Sequence, residues 1–416
     1  MKYPILHDYE NEISRCIKCG ACRAVCPTFK ESLDESMVAR GRISLTKAVI
    51  ENRLDLTEGF DIRISTCINC KACAANCPTS VKVDDIMLSA KAQIAKNRGV
   101  GLIENLISKQ VVKRGWPMAY ILKTIGMMSK AVYEPLEATG ILGNFLLFVA
   151  DKKKRLVPDL TKSPFLSRYP EIITCERPKG RVAFFVGCAI NFMDQRIGDA
   201  VIKVLKKNNI EIILPKDQLC CGRPLLSLGD RDTALYLARK NAEIFNKLKV
   251  DAIVTACATC GLTIKDEYNK IHADKSVADF SARLIDINEF IVNNTDFEKG
   301  LRPLEKKVTY HDPCHLKRGQ GIDKSPREIL EAVFDNGFVE MKEADTCCGF
   351  GGLFSFYHYN LSARIADKKA KNISDTKADI VASACPGCLM HIKDALNRNE
   401  INIDAKHTIE LLAESY

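Results

Sequence analysis

Between residues 180 and 400 the chain alternates short, nearly unbroken apolar runs with longer segments whose apolar residues recur every three or four positions. The runs are Val182-Ala-Phe-Phe-Val, residues 211–214, Ala252-Ile-Val-Thr-Ala, Val308-Thr-Tyr and Ile380-Val-Ala-Ser-Ala. Such runs predict short strands, and residues 194–207, 230–248 and 259–272 predict helices between those of the first half. Each half reads as strand, helix, strand, loop, helix, strand, helix, which implies a parallel α/β unit whose ligands lie beyond the C-terminal strand ends. The first hundred residues differ. Residues 37–52 carry helical spacing (Met37, Val38, Ile43, Leu45, Val49, Ile50) and residues 83–95 do so again. Residues 102–112 also read as helical, after which Trp116-Pro117, Pro135, Gly140 and Pro158 predict short helices and loops. Met118, Leu122, Met127 and Met128 are expected to fill core gaps rather than to line a docking surface or a quinone site.

The apolar runs deliver cysteines, and they do so twice. Cys188 is followed after 31 residues by Cys220-Cys221 and after 35 more by Cys257-x-x-Cys260; Cys314 is followed after 32 by Cys347-Cys348 and after 36 more by Cys385-x-x-Cys388. The offset between copies drifts only from 126 to 128 residues, and Gly222 and Gly349 follow the adjacent pairs, so the region is an internal duplication. Three cysteine loops converging at one sheet edge, beside helix N-termini that favour thiolates, predict a metal site of five sulfurs in each half. Tetrahedral zinc takes four ligands. An iron–sulfur cluster that is not a simple cube can use the fifth, and zinc with one spare thiol is the alternative.

A second repeated string lies near the N-terminus. Cys16-x-x-Cys19-x-x-Cys22-x-x-x-Cys26-Pro27 returns 51 residues later as Cys67-x-x-Cys70-x-x-Cys73-x-x-x-Cys77-Pro78. This is the bacterial ferredoxin signature for two [4Fe–4S] cubanes, in which the fourth cysteine of each string serves the other cluster. It predicts one cubane on Cys16, Cys19, Cys22 and Cys77 and another on Cys67, Cys70, Cys73 and Cys26. Zinc ribbons use isolated CxxC pairs instead.

Composition narrows the class. The 416 residues are 46% hydrophobic and 27% charged, ordinary for a soluble globular chain of two or three domains. The net charge of +9 is spread out apart from Lys152-Lys-Lys-Arg155, which reads as a solvated linker, so no nucleic-acid partner is expected. Nineteen cysteines in a long chain that starts Met1-Lys-Tyr-Pro-Ile-Leu-His-Asp, with no apolar signal region, fit metal-bound thiolates in a reducing compartment. The longest apolar stretch, residues 141–150, is about half of what a spanning helix needs. Gly349-Phe-Gly351-Gly352 has the wrong spacing for a dinucleotide fingerprint and no GxxxxGK[ST] occurs, so flavin and nucleotide are expected on another polypeptide. His311 and His315 flank Cys314, Lys317 and Arg318 follow, and Arg223 follows the first Cys-Cys-Gly. The histidines are read as hydrogen-bonding or packed groups rather than iron ligands, and the basic groups as raising cluster potential. Cys175 lies outside every repeat and reads as an ordinary thiol.

These strings together resemble the cysteine-rich iron–sulfur family that includes the glycolate oxidase iron–sulfur subunit, a subunit of anaerobic glycerol-3-phosphate dehydrogenase, lactate-utilisation proteins and the catalytic subunit of heterodisulfide reductase. Cys347-Cys-Gly-Phe-Gly-Gly-Leu-Phe-Ser355 and Cys385-Pro386-Gly387-Cys388 most resemble its 2-hydroxy-acid oxidase branch. The resemblance covers residues 10–90 and 180–416, and the chain is expected to divide into an α-helical ferredoxin domain with two clusters at 1–98, a helical linker region at 99–178, and cysteine-rich α/β domains at 179–298 and 299–416. The resemblance implies an oxidoreductase subunit, cytoplasmic or peripheral to the inner face of the cell membrane, passing electrons from an FAD-containing dehydrogenase subunit to quinone or another acceptor. In the heterodisulfide reductase branch the five-cysteine motif holds a non-cubane [4Fe–4S] cluster that cleaves disulfides, and both motifs are complete here. A third reading is a carrier linking an electron-transferring flavoprotein to quinone or a membrane haem subunit.

Overall fold

Each of the strands β2 (Gly180–Phe184), β3 (Ile210–Ile213) and β4 (Ala252–Thr255) is followed by helical structure before the next. The structure, a computed structural model, describes residues 4–99, 156, 163–271 and 274–416. The readings made for residues 102–112, Met118, Leu122, Met127, Met128, 141–150 and Lys152-Lys-Lys-Arg155 lie outside the described residues.

The first half forms a five-stranded sheet in the order β1-β3-β2-β4-β5, with β1 (Ile172–Ile173) antiparallel and β5 (Leu284–Asp286) parallel to its neighbour. All four residues of β3 and of β4 are buried, because helices cover both faces of a parallel sheet. The second half has β6 (Val308–Tyr310), β7 (Ile380–Ser383) and β8 (Asp404–His407), all parallel. Its expected middle strand is reduced to a single bridge from Phe338 to Val308. The preceding Asp335 and Asn336 hold φ of 29° and 63°, so the chain turns there and only Val339 and Gly337 reach the β6 backbone. With that bridge counted, both sheets follow one order.

The two halves meet about a pseudo-two-fold. Helix Gln195–Lys207 of the first packs on Thr408–Glu414 of the second, and reciprocally Ile287–Asn294 packs on Lys324–Phe334. The cysteine-bearing helices pair in the same way, Ala258–Leu262 with Cys314–Gln320 and Gly187–Phe192 with Pro386–Arg398. One apolar core runs through both halves, from Phe184 and Val201 to Tyr310 and Leu330. Thr408 donates a hydrogen bond to buried Asn288 across this interface, at 2.5 Å.

The N-terminal region is helical, as the spacing predicts, with Ala39–Ile50 and Val83–Arg98 around a separate small core. It docks on both halves. Lys71 pairs with Asp84 and Asp266, and Lys270 with Asp85 (2.8 Å) and Asp266 (2.7 Å). On the other side Arg364 and Lys368 of the second half hold Glu31 at 3.6 and 2.5 Å. Among the described residues no helix is long and apolar enough to cross a membrane.

Candidate functional site

The two N-terminal cysteine turns repeat in backbone as well as in sequence. Lys18 and Gly20 in the first and Asn69 and Lys71 in the second hold positive φ (56°, 87°, 60° and 61°), at matching positions between the cysteines. Only one of the four is glycine, so three residues bear the left-handed cost of roughly 1 kcal/mol each. Alternating right- and left-handed residues make a concave nest of backbone N–H groups, the kind that receives an anion such as an iron–sulfur cluster. Burial raises the Cys73 thiol, and its charged neighbours Cys70, Cys67 and Cys26 raise it further, so Cys26 of the first string stands among the cysteines of the second. Cys22 is raised by burial and lies near Cys26 and Cys16. Buried Arg42 ties the two strings, donating to the Arg63 carbonyl (2.7 Å), Thr28 (3.3 Å) and Thr66 (3.0 Å). Cys19 is exposed, and Cys77 accepts the Val81 N–H at 3.4 Å.

In the duplicated region the cysteines gather where the strand order reverses, beyond the ends of the adjacent pairs β2/β4 and β6/β7. Open α/β sheets bind their ligands at such switch points. Cys257 and Cys385 cap the helices that follow β4 and β7, and Cys188 and Cys314 sit in the first turns after β2 and β6. Gly222 and Gly349 (φ 79° and 87°) turn the chain after each Cys-Cys pair, and their N–H groups each donate to the first sulfur of the pair at 3.4 Å. Gly187 is required for another reason: a Cβ there would lie 2.9 Å from the Cys260 sulfur.

The thiols form an unbroken series. In the first half neighbouring thiols run Cys188, Cys220, Cys221, Cys260, Cys257. In the second they run Cys314, Cys347, Cys348, Cys388, Cys385, the same order about the pseudo-two-fold. The halves join at Cys257–Cys385, and Cys347 also reaches Cys70 of the N-terminal region. Cys70 is held down to about 6, first by the neighbouring Cys347 thiol, against burial, with Arg318 helping. Cys221 is held down to about 6 by Cys220 and then Cys260. A row of thiols in which some are pushed down and their neighbours up is a set of soft ligands competing for protons that a metal would displace.

The polar groups flagged in the sequence fall into distinct places. Arg318 donates to the Cys70 carbonyl (3.0 Å) and to Asp345, and its charge faces Cys70, Cys314 and Cys347. Arg223 is buried against Glu267, which neutralises it, and Lys317 pairs with Asp312 at 3.2 Å. His315 makes the expected hydrogen bond, Nδ1 to Thr259 Oγ1 at 3.1 Å, and the same Thr259 oxygen lies 3.7 Å from Cys385. Burial, then Arg223, hold His315 down to about 4, which keeps it neutral. His311 differs: Nδ1 lies 3.2 Å from the Ala344 carbonyl, buried Nε2 has no hydrogen-bond partner among the described residues, and a ring nitrogen lies within 4.8 Å of the Cys348 and Cys388 sulfurs. Cys175 does not join the series; it is half-buried near Glu211.

Sequence reading missed Glu267, Thr259, Lys91 and Lys369. Lys91 donates to the Cys67 carbonyl at 3.0 Å and Lys369 to the Glu343 carbonyl at 2.6 Å; burial lowers both amines to about 8. Each sits on a helix whose periodicity reads as ordinary, and only their spatial approach to cysteines marks them. The donor set as a whole, eighteen cysteine sulfurs in repeated turns with backbone N–H groups aimed at them, suits iron–sulfur clusters.

Comparison with known proteins follows the same division. The cysteine-rich domain model matches residues 182–265 and again 308–393, and the 4Fe-4S dicluster domain model matches residues 12–81. The probable glycolate oxidase iron–sulfur subunit of Bacillus subtilis is 31% identical over 98% of this chain and 94% of its own length. A dihydromethanophenazine:CoB–CoM heterodisulfide reductase subunit of Methanosarcina acetivorans is 26% identical over 97% of this chain and 94% of its own. Among solved structures, a hypothetical protein from Helicobacter pylori shares the fold, with a TM-score of 0.51 at 10% identity, covering 100% of this chain and 76% of that one.

Proposed function

This chain belongs to the iron–sulfur family that joins a 4Fe-4S dicluster domain to a duplicated cysteine-rich domain, and from that premise we propose that it is the electron-transfer subunit of an FAD-linked 2-hydroxy-acid dehydrogenase of the glycolate or lactate type. The observation that carries this reading is the unbroken series of thiols from the ferredoxin turns through Cys70 and Cys347 to both five-cysteine sites.

In this reading Cys16, Cys19, Cys22 and Cys77 hold one cubane, and Cys67, Cys70, Cys73 and Cys26 the other. Cys188, Cys220, Cys221, Cys257 and Cys260 hold a further cluster in the first half, and Cys314, Cys347, Cys348, Cys385 and Cys388 in the second. Bound clusters supply one-electron oxidation and reduction. The chain's own groups fix the sulfurs, exclude water by burying nearly all the duplicated-region thiols, and set the local charge through Arg318 and the neutralised Arg223. FAD and the hydroxy acid belong to a partner subunit, and quinone or another acceptor lies downstream.

A second reading is disulfide reduction. It is favoured by one feature: both five-cysteine sets are complete and adjoin at Cys257 and Cys385. Anaerobic affinity purification from the native cell, with co-purifying chains identified and flavin measured by absorbance, separates the two. A stoichiometric FAD protein bleached by a 2-hydroxy acid supports the first. A haem membrane subunit with no flavoprotein, and disulfide reduction from an artificial donor, would replace it with the second.

A further inference from the structure

The two halves repeat their cysteines but not their histidines. Three residues before Cys314 stands His311; three residues before Cys188 stands Phe185. Phe185 is fully buried in an aromatic group with Phe245 and Phe280, its ring centroid 5.6 and 6.4 Å from theirs. His311 is just as buried but brings two ring nitrogens into an apolar setting, where an unpaired polar atom costs roughly 1–3 kcal/mol.

Only one nitrogen is accounted for. The Ala344 carbonyl can only accept, so Nδ1 carries the proton and donates to it. In the neutral imidazole that leaves a lone pair on Nε2, which has no hydrogen-bond partner among the described residues. A ring nitrogen of His311, the Cys348 sulfur and the Cys388 sulfur lie within 4.8 Å of one another. A metal-bound histidine characteristically donates its other N–H to a backbone carbonyl, which orients the ring and strengthens the ligand. His311 is already set that way. In the first half the corresponding pair, Cys221 and Cys260, has no such histidine among the described residues.

We propose that the metal centre of the second half takes His311 Nε2 as a nitrogen ligand beside Cys348 and Cys388, whereas the first half binds through sulfur alone. The inference rests on the reading that both halves hold metal, and it makes the two centres chemically distinct. Replacing thiolate by neutral imidazole lowers the negative charge around a cluster and raises its potential. The second centre is then the better electron acceptor of the two.

The test uses the full chain, purified anaerobically with and without ¹⁵N-histidine. Pulsed EPR reads nitrogen coupling at a reduced iron centre, and X-ray absorption reads the ligands of any zinc. A histidine nitrogen should appear in one centre and vanish in His311→Phe, with partial loss of metal while the ferredoxin clusters persist. His311→Cys should retain the metal without nitrogen coupling and with a more negative midpoint. All-sulfur coordination in the native chain, or coupling that survives in His311→Phe, overturns the inference alone. If Cys348→Ser removes no metal, the reading of the second half as a metal site fails first.

Discussion

Thr259 shows how single side chains tune this array. Its hydroxyl lies between His315 Nδ1 and the Cys385 sulfur, at the junction of the two halves. Hydrogen bonds to cluster sulfurs raise potential by stabilising the more negative reduced state. Thr259→Val should therefore lower one midpoint by roughly 20–60 mV, the equivalent of one hydrogen bond, with iron content unchanged. His315→Ala should likewise move a potential without removing iron, and loss of a whole cluster in either variant would show that these residues hold the site together. The cysteine strings themselves are legible in the sequence because their spacing is a local property. Thr259, Glu267 and Lys369 are not, since their roles arise from contacts across the fold. His311 stands between: its place beside Cys314 is visible in sequence, but its unpartnered nitrogen depends on the distant Ala344 carbonyl.

At the scale of elements, helix ends do much of the positioning. Helix Arg223–Leu228 begins after the first Cys-Cys pair and ends at Gly229, whose φ is 85°. A Cβ at Gly229 would sit 2.3 Å from the Lys91 carbonyl in helix Val83–Arg98, so this glycine lets the ferredoxin region approach the first half. Gly229→Ala should cost roughly 1–3 kcal/mol and be read as a lower unfolding midpoint, with increased protease access to the N-terminal region. Asp286 caps helix Ile287–Asn294 from a buried position and is raised to about 6 by burial, against hydrogen bonds from Asn288. A carboxyl raised above its unfolded value binds its proton more tightly when folded, so its contribution to stability falls as pH rises from about 4 to about 6. Between about pH 5 and pH 7.5 the native chain should lose about 1 kcal/mol more stability than Asp286→Asn. Equal slopes would show that Asp286 is ionised throughout. Most elements follow from apolar periodicity, with helix ends displaced by a few residues. The weakened middle strand of the second half does not follow, because the left-handed turn before Phe338 and Val339 limits pairing to one bridge.

The whole molecule is a ferredoxin-type module seated on a duplicated α/β unit, and its geometry explains why the duplication matters. Reciprocal helix packing about the pseudo-two-fold brings Cys257 and Cys385 together, while the ion pairs Lys71–Asp266, Lys270–Asp85 and Lys368–Glu31 hold the N-terminal region where Cys70 meets Cys347. The repeat is plain in the sequence, but a repeat alone does not say how its copies face each other. That comes from the shared core of Phe184, Val201, Tyr310 and Leu330, a property of three-dimensional packing. In the proposed function all of these thiols serve iron–sulfur clusters in one electron-transfer chain. Iron and acid-labile sulfide, counted on protein purified anaerobically from the native cell, test it most directly. Four [4Fe–4S] clusters predict about 16 iron atoms per chain, whereas about 8, with zinc making up the difference, would confine electron transfer to the N-terminal module and contradict the account.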